Sequence, residues 1–499
     1  MAFEICLAGG IIPNRPKGLS QNACCTGVIE MSQLHRVRAV FFTASGALCL
    51  WACSLAEAAL PDVESAGLRC QVEAEEVVTR YAPANNGAGP LWCYGAPLIA
   101  RRGDGVFLSV IETGEKAAPL LNTRWQLWLR SADRWKLVQH EQAFCEREPC
   151  PIGISSKGPI FLSINPSVEP SGATQGRCEP QVLEFDPNDP NKPARIDRPA
   201  WADGTYFREH SYRGLAADGA SGELLLLNIN ARTSDQFVSY RDEKGAWQAK
   251  GTIRFPIRAC YPQVGLQGHA AHVLAIGDIV EPVELWKTLK YEKLRRDWDY
   301  VFRRLFYTWT PDIRQNSFVT PVEIDTVEET CGYILNLDLC IDASGSAHLL
   351  YLKRPFQYDF IRDTYFPGRP MGVSLEYAVV GRGQVRSHTT LAGVAEGGSG
   401  LEPSYARFHT DPQGRLYVIL AGTTIDGRSR TFGNFISRIQ GGKATPKFQR
   451  IDLKHPFRTF FTNTIRGGSM PSDTIDLFGI ADDDPNLRYA RLRLQSPRD

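Results

Sequence analysis

The amino-acid sequence predicts an all-β protein, a seven-bladed β-propeller, and a repeated hairpin pattern is the main observation behind this prediction. Seven times along the chain, a short apolar run, a tight turn and a second apolar run follow one another. The turns are centred near residues 104, 158, 219, 268, 345, 413 and 472, with a mean step of about 61 residues. Such a step accommodates a four-stranded blade with long loops. A β-sandwich with accessory domains is the alternative, and seven copies in register with the chain favour the propeller.

Each repeat is predicted to be a β-hairpin because its turn residues suit one. In the first copy, Gly103, Asp104 and Gly105 separate two β-rich runs. Glycine supplies positive φ and aspartate forms Asx turns, so both are typical of hairpin turns. We expect the hairpin to form the inner two strands of each blade. The runs Trp125–Leu129 and Phe237–Tyr240 alternate in polarity as half-buried outer strands do.

A longer insertion, residues 282–311, separates the fourth and fifth turns. Leu285, Leu289, Leu294 and Trp298 recur in it with roughly helical spacing. This spacing predicts a surface helix or long loop packed on the blade. A lid over a substrate is the alternative.

The start of the chain has the pattern of a secretory signal. The basic stretch His35–Arg38 precedes an apolar run over Ala39–Leu55, and the small-x-small tripeptide Ala56–Ala58 follows. Met31 is an alternative start, and a lipoprotein signal that lipidates Cys53 is the alternative to cleavage near Ala58. The sequence therefore predicts a secreted or periplasmic protein without a transmembrane span. The predicted organisation is a signal peptide at 1–58, an N-terminal segment at 59–87 and the propeller at 88–499.

Composition and cysteine content limit the class of protein. The 56 basic and 55 acidic residues balance, so no basic field exists to hold nucleic acid. Beyond the predicted signal, eight cysteines remain, and an even set is expected after export to an oxidising space. Cys145 with Cys150 and Cys331 with Cys340 are candidate disulfides, and the connectivity stays open. No Cys-x-x-Cys pair follows the signal, which disfavours structural zinc.

Two turns resemble a known repeat. Ser239–Trp247 resembles the Asp-box turn of the BNR-repeat propellers, a superfamily that contains sialidases and polysaccharide lyases such as the ulvan lyases, and Ser131–Trp135 resembles a shortened copy. The resemblance concerns the architecture of roughly residues 88–495, and it implies a ligand site on the propeller axis.

The catalytic motifs of these families differ here. The string most similar to the sialidase motif Arg-Ile-Pro is Arg254–Pro256, and it lies in mid-chain. Leu91–Gly95 stands where ulvan-lyase-like propellers tend to place a histidine. No catalytic residue is therefore carried over.

The candidate site residues come from their place in the repeat. One end of each innermost strand borders the central funnel of a propeller, so residues just before each first apolar run are candidates. Arginine, tyrosine and histidine are enriched there, which suits an anionic sugar because the guanidinium fork binds carboxylate or sulfate. We expect Tyr94, Arg124, Arg213, Arg258, Tyr405, Arg407 and Arg466 to bind substrate.

A uronate lyase would need a group that neutralises the carboxylate, a base and an acid. Arg213 or Arg407 is predicted to neutralise, and His210, Tyr212 and Tyr261 are the predicted catalytic residues. Tyr212 and Arg213 cannot both face the axis from an extended strand, because neighbouring side chains alternate. For each of these residues, a capped position in the core is the alternative.

Other functions remain open at this stage. A hydrolase would need paired carboxylates, with Glu112 or Glu115 as one member and Glu209, Asp338 or Glu402 as the other. We expect no organic cofactor and no catalytic metal, with a structural calcium at Asp482–Asp484 as the alternative to a solvated turn.

The leading hypothesis is an exported, monomeric, carbohydrate-active enzyme that acts on an acidic polysaccharide or oligosaccharide, most consistent with a uronate-specific lyase. A non-catalytic glycan- or protein-binding propeller and a sialidase-like hydrolase are the alternatives.

Overall fold

Seven antiparallel sheets arranged in a ring form the protein, which is a seven-bladed β-propeller. The computed structural model describes residues 68–92, 96–115, 117, 120–170, 172–297, 299–440, 443–444, 447–481 and 485–495. Innermost strands of neighbouring blades contact each other around the ring. The predicted fold class is confirmed.

The first three complete blades follow one another along the chain after an N-terminal strand, β1 (Arg69–Arg80). Blade 1 contains β2 (Ile99–Arg102), β3 (Gly105–Thr113), β4 (Thr123–Ser131) and β5 (Arg134–His140). Blade 2 contains β6 (Ile152–Ile154), β7 (Ile160–Ile164), β8 (Gln181–Phe185) and β9 (Arg195–Asp197). Blade 3 contains β10 (Gly214–Ala217), β11 (Leu224–Ile229), β12 (Gln236–Arg241) and β13 (Trp247–Ile253).

Blade 4 carries the insertion between its second and third strands. In chain order, its elements are β14 (Ala259–Gln267), β15 (Ala270–Gly277), β16 (Ile279–Val280), α1 (Glu284–Leu294), β17 (Tyr300–Val301), β18 (Arg304–Thr310) and β19 (Val322–Thr326). The short strands β16 and β17 pair with each other and bring the chain back to the blade. The helix ends where Arg295 adopts a left-handed conformation. The predicted helix is therefore present at 284–294, and Trp298 lies outside the described residues.

The last three blades close the ring. A 3-10 turn, Glu328–Thr330, precedes blade 5, which contains β20 (Tyr333–Ile341), β21 (Ala347–Arg354), α2 (Asp359–Tyr365), β22 (Gly372–Gly381) and β23 (Gln384–Ala395). Blade 6 contains β24 (Gly400–Thr410), β25 (Leu416–Asp426), β26 (Ser429–Gln440), β27 (Lys443–Ala444) and β28 (Gln449–Ile451). Blade 7 contains β29 (Thr459–Thr462), β30 (Thr474–Ile480) and β31 (Asn486–Gln495).

The N-terminal strand completes blade 7. β1 pairs antiparallel with β31, from Arg69 opposite Gln495 to Arg80 opposite Asn486. Residues 69–80, within the predicted N-terminal segment, thus supply the outermost strand of the last blade. Pairing β1 with β31 in one sheet closes the ring by backbone hydrogen bonds.

All seven predicted hairpins form the inner two strands of their blades. The two runs predicted to be outer strands, Trp125–Leu129 and Phe237–Tyr240, lie in the third strands of blades 1 and 3. In the Asp-box-like turn, the Asp242 carboxylate accepts hydrogen bonds from the backbone N–H groups of Lys244 and Ala246. Gly245 there has a φ of +86°, which only glycine adopts readily.

The core lies between the blades. Leu224–Leu227 are all fully buried, because both faces of an inner strand pack against neighbouring blades. In several blades, the hydroxyl of a strand tyrosine forms a buried hydrogen bond with a polar side chain of the same blade. Tyr240 donates to Glu223, Tyr489 donates to Asp476 at 2.6 Å, and the Tyr307 hydroxyl lies 2.6 Å from His272.

The seventh hairpin differs from the others because its connection, residues 463–473, crosses the central channel. We call this segment the plug loop. Gly467 accepts a hydrogen bond from Ile154 of blade 2, and the backbone oxygen of Arg466 accepts one from Ala217 of blade 3. The Arg466 guanidinium reaches Asp338 of blade 5. One loop of blade 7 therefore contacts blades on the opposite side of the ring, which closes the channel at this level.

The seven described cysteines are all free thiols. Cys331 and Cys340 lie near opposite ends of β20, and about 3.3 Å per strand residue separates them by roughly 25 Å or more. A disulfide needs Cα atoms less than about 7 Å apart, so the candidate pair Cys331–Cys340 is wrong. Cys145 and Cys150 are also unbonded here. Cys93 lies outside the described residues.

The predicted signal peptide, Met31 and Cys53 lie outside the described residues. Among the helices that the structure describes, none has the length and apolarity needed to cross a membrane.

Candidate functional site

The loops that could hold a ligand gather at one face of the ring, which we call the upper face. In an antiparallel blade, the first strand starts at the face where the fourth strand ends, and the connection between strands two and three lies at that same face. The α1 insertion, the loop that contains α2 and the segment before β10 are all such connections.

An aromatic–basic cluster occupies the upper mouth of the channel; it consists of Trp92, His210, Tyr212, Arg258 and Tyr261. The Tyr212 and Tyr261 ring centroids lie 5.0 Å apart, edge to face. The His210 and Tyr212 centroids are 6.1 Å apart, and the Arg258 guanidinium lies 5.3 Å from the Tyr212 centroid. The structure thus brings together four of the residues that the sequence singled out.

Trp92 places this cluster over the channel. It precedes blade 1, yet its ring centroid lies 5.7 Å from that of Tyr261 in blade 4. Blades 1 and 4 are not neighbours in a seven-membered ring, so the contact must cross the channel mouth. The plug loop lies further down, so the channel is closed below the cluster.

Unusual backbone conformations aim the two tyrosines. Tyr212 has a φ of +43° and Tyr261 a φ of +51°, which cost a non-glycine residue about 1–2 kcal/mol each. The pairing of β14 with β15 also shifts between Cys260 and Gln263, as at a β-bulge, which re-aims side chains. Both irregularities fall at the first strand of a blade, at the end that faces the channel mouth.

Glu148 holds the turn at Tyr212. Its carboxylate accepts hydrogen bonds from the Ser211 hydroxyl at 2.8 Å and from the Tyr212 backbone N–H at 3.1 Å. Glu148 is itself buried and pairs with Arg147 at 2.9 Å. A carboxylate between blades 1 and 2 therefore fixes the backbone of a tyrosine in blade 3.

Arg258 is held by an ion pair on one side and is partly exposed to solvent. Its guanidinium donates to the Asp278 carboxylate at 2.7 Å, and about a quarter of the side chain is exposed. Burial raises the pKa of Asp278, although the charge of Arg258 opposes that effect. On its other side Arg258 lies 5.6 Å from the ring centroid of Tyr300, in β17.

His210 is the accessible titratable group of the cluster, with 41% of its side chain exposed. Its Nδ1 lies 3.2 Å from the Glu209 carboxylate. Burial alone would raise the pKa of Glu209, but hydrogen bonds from His210 and from the Gly176 N–H outweigh it and lower the pKa to about 2. Glu209 is therefore ionised at neutral pH, and it fixes Nδ1–H as the donor and leaves Nε2 as the free acceptor.

Tyr212 keeps its proton. Burial raises the pKa of its phenol, and the nearby Arg258 only partly offsets this effect. Tyr212 can therefore donate a proton or a hydrogen bond, while a phenolate base at neutral pH is disfavoured.

Three of the predicted substrate-binding arginines lie inside the molecule instead. Arg213 is 1% exposed, and its guanidinium donates to the backbone oxygens of Ser163, Glu148 and Pro149. It fastens blade 3 to blade 2. Tyr212 thus packs against Tyr261 at the channel mouth, whereas the Arg213 guanidinium is directed to blade 2.

Arg407 and Arg466 belong to the channel below the cluster. Arg466 donates to Asp338 at 2.7 Å and to Gln263 at 3.2 Å. Arg407 donates to the Leu337 backbone oxygen at 2.5 Å and to the hydroxyl of Tyr405, which is 3% exposed. These side chains hold blades 4, 5, 6 and 7 together and lie below the aromatic–basic cluster, not in it.

The remaining predicted residues lie elsewhere. Arg124 pairs with Glu112 at 2.8 Å on the first blade and stacks over Phe144. Glu402 pairs with Arg430 on blade 6. Tyr94 lies outside the described residues, as does Asp482–Asp484.

Sequence reasoning missed Glu148, Asp278 and Tyr300. Asp278 follows directly after the inner strand β15, and a position next to an inner strand was the available signal. Tyr300 lies within the predicted insertion and was not singled out, and nothing local in the sequence marks Glu148 as a partner of a residue sixty-four positions away.

No group of three or more His, Cys, Asp or Glu side chains in the described part of the chain could hold a metal ion. His269 and His272 lie three positions apart in blade 4, but His269 pairs with Glu223 at 2.9 Å and the His272 Nδ1 lies 2.6 Å from the Tyr307 hydroxyl.

No family model matches this chain, and no curated protein sequence matches it. Solved structures do match. The polysaccharide lyase Uly1 is 11% identical, with 85% of this chain and 99% of that chain covered and a TM-score of 0.46. The α-L-arabinofuranosidase Arb93A of Fusarium graminearum is 12% identical, with 68% and 92% covered and a TM-score of 0.38. The sialidase of Trypanosoma rangeli is 12% identical, with 68% and 53% covered and a TM-score of 0.35.

The propeller is shown by the seven blades of this structure, and the likeness to these three proteins, with TM-scores of 0.46, 0.38 and 0.35, carries no argument of its own. At such identities it says nothing about activity, which must be argued from the site itself.

Proposed function

We propose that this protein is an exported carbohydrate-active enzyme that cleaves an acidic polysaccharide by β-elimination at a uronate unit. One observation carries the proposal: an accessible histidine, a protonated phenol and an arginine lie side by side at the channel mouth. These groups correspond to the base, the acid and the carboxylate-binding group that the reaction needs.

The roles follow from the environment of each group. Arg258 binds the substrate carboxylate and makes the proton on the adjacent carbon more acidic. His210 removes that proton through Nε2, the electron pair of the C–H bond forms a carbon–carbon double bond, and the glycosidic C–O bond breaks. Tyr212 gives its proton to the departing oxygen. His210 then releases its proton to solvent and Tyr212 takes one from solvent, which restores both groups.

Ionised Glu209 supports His210 in this role. A carboxylate that accepts the Nδ1 hydrogen bond selects the tautomer in which Nε2 is the acceptor, and it stabilises the imidazolium that forms when the base has taken the proton. Tyr261 packs edge to face against both Tyr212 and Trp92 and supports the Tyr212 ring from the core side.

The experiment is an ultraviolet assay with the purified protein and polygalacturonate, alginate, ulvan and chondroitin sulfate. Elimination creates a conjugated double bond that absorbs in the ultraviolet, whereas hydrolysis and binding do not. We expect an absorbance increase with one polymer, lowered about 10²–10⁴-fold by His210→Ala. His140→Ala, on the outer strand β5, is the matched control and should leave the rate unchanged. An increase that survives His210→Ala would refute the assignment of the base.

A second candidate function is a non-catalytic glycan-binding propeller. It is favoured by the low exposure of Tyr212 and Tyr261, 8% each, which limits their access to a substrate. Binding of one of the four polymers without any absorbance increase would favour this candidate over the lyase.

A further inference from the structure

A cleft lies beside the helix of the blade 4 insertion. It has a volume of about 230 Å³ and runs between α1, the segment that returns to β17 and the start of the loop that carries α2. Drug-sized ligands occupy pockets of roughly 300–1,000 Å³, so this cleft suits a smaller group of about one sugar ring.

The floor of the cleft is built rigidly. Lys290 is 2% exposed and donates to Glu281 at 2.6 Å and to Asp299 at 2.8 Å. Arg303 donates to the same Glu281 carboxylate at 3.0 Å. This buried network ties α1 to β17 and to the blade, so the cleft does not need to be ordered when a ligand binds.

The second helix supports α1 from the outside. The Tyr365 hydroxyl of α2 donates to the backbone oxygen of Leu285 at 3.1 Å, and the Trp286 and Phe366 rings pack with centroids 6.3 Å apart. Both walls of the cleft are therefore held by blades 4 and 5.

The lining has the chemistry of a sugar site. Three aromatic side chains, Tyr291, Tyr300 and Tyr358, contribute to it, and Tyr291 and Tyr300 are 47% and 41% exposed. The charged lining residues balance, three basic and three acidic: Lys287, Lys290, Arg296, Glu284, Asp297 and Asp299. Tyrosine rings stack on sugar faces, and paired charged groups donate to and accept from hydroxyls without attracting a free ion.

Tyr300 connects the cleft to the candidate active site. Its ring lines the cleft, and the Arg258 guanidinium lies 5.6 Å from its centroid and 5.3 Å from that of Tyr212. A ligand that leaves the aromatic–basic cluster past Arg258 would therefore meet Tyr300 and then the cleft.

We propose that this cleft is a subsite for a further sugar unit of the same polysaccharide, bound while a uronate unit lies at the aromatic–basic cluster. The inference rests on the proposed function for its substrate class. The insertion thus extends the binding site outward along the chain of the polymer, and the helix acts as its wall.

The test measures binding separately from cleavage, by calorimetric titration of the protein with the four polymers named above. We expect Tyr291→Ala to weaken the binding of the preferred polymer about tenfold. Tyr291→Phe keeps the ring and should restore most of the affinity. Leu285→Ala is the matched control, because Leu285 lies on the same helix, is 68% exposed and does not line the cleft. Thermal unfolding of each variant checks that the helix is intact.

Each outcome separates the two proposals. Weaker binding by Tyr291→Ala together with no absorbance increase in the wild type supports the subsite and overturns the lyase. Cleavage by the wild type with equal polymer affinity for Tyr291→Ala and Leu285→Ala overturns the subsite and leaves the lyase standing. Equal losses of polymer affinity in Tyr291→Ala and Leu285→Ala also overturn the subsite. Absence of binding to all four polymers overturns both the subsite and the lyase.

Discussion

Glu146 is a buried carboxylate whose titration should be visible in the stability of the whole protein. It lies between blades 1 and 2 and is 1% exposed. Its carboxylate accepts a hydrogen bond from the Asn165 N–H at 2.7 Å and lies 3.5 Å from the Arg213 guanidinium. Burial raises its pKa from 4.5 to about 7, because desolvation outweighs Arg213 and Asn165, and the charge of Glu148 adds to the rise.

The sign of the effect follows from linkage. The folded protein binds this proton more tightly than the unfolded chain, so the stabilisation is complete below about pH 4.5 and is lost as the pH rises through about 7. A rise of that size corresponds to about 3 kcal/mol in the free energy of unfolding. Glu146→Gln cannot ionise and keeps an acceptor for Asn165, so it should lack this loss.

The assay is urea unfolding of the wild type and of Glu146→Gln at about pH 5 and about pH 8. The difference in the free energy of unfolding between the variant and the wild type should change in favour of the variant by most of those ~3 kcal/mol from about pH 5 to about pH 8. This change does not depend on which of the two proteins is more stable at about pH 5. Glu396→Gln is the control: the hydrogen bond from Arg362 lowers the pKa of this exposed carboxyl, so it stays ionised throughout the range. If Glu146→Gln and the wild type lose stability in parallel, Glu146 is ionised in the folded protein and the reasoning is refuted.

Two further variants test the channel. Asp338→Asn removes the charge that pairs with buried Arg466, and we expect a loss of about 3–5 kcal/mol in urea unfolding, because an uncompensated charge stays buried; a loss below 1 kcal/mol would contradict this. Gly468 and Gly204 both have a φ of +84°, but only at Gly468 would a Cβ overlap the backbone oxygen of Ile154. Gly468→Ala should therefore lower the melting temperature clearly more than Gly204→Ala, and equal effects would contradict the close packing of the plug loop.

The seven hairpins were predictable because their signal is local. A glycine or aspartate turn between two β-rich runs needs only neighbouring residues, and the turn at Asp342, like that at Asp242, is closed by hydrogen bonds within five positions. The seventh hairpin has a long connection for a physical reason: this connection is the plug loop, whose residues contact other blades. The pairing of β1 with β31 joins residues more than four hundred positions apart, and no local pattern marks it.

The candidate site was predicted only in part, because side-chain direction depends on the backbone. Strict alternation along a strand would send Tyr212 and Tyr261 to positions set by their neighbours. The positive φ of both residues and the bulge after Cys260 break that alternation. These conformations depend on distant partners such as Glu148, so a strand pattern could identify the residues but not the direction in which they point.

The arginines that the sequence predicts at the central funnel lie in two different environments in this fold, and the difference locates the site. Arg213, Arg407 and Arg466 turn inward, where backbone oxygens and Asp338 satisfy them and tie the blades together. Arg258 pairs with Asp278 yet stays partly exposed, because the insertion of blade 4 begins directly beside it. With the channel closed below by the plug loop, a ligand can approach only from the upper face. Arg258 is the partly exposed arginine of the aromatic–basic cluster and lies next to the insertion, which is why the binding site should extend from the channel mouth towards α1 rather than down the axis.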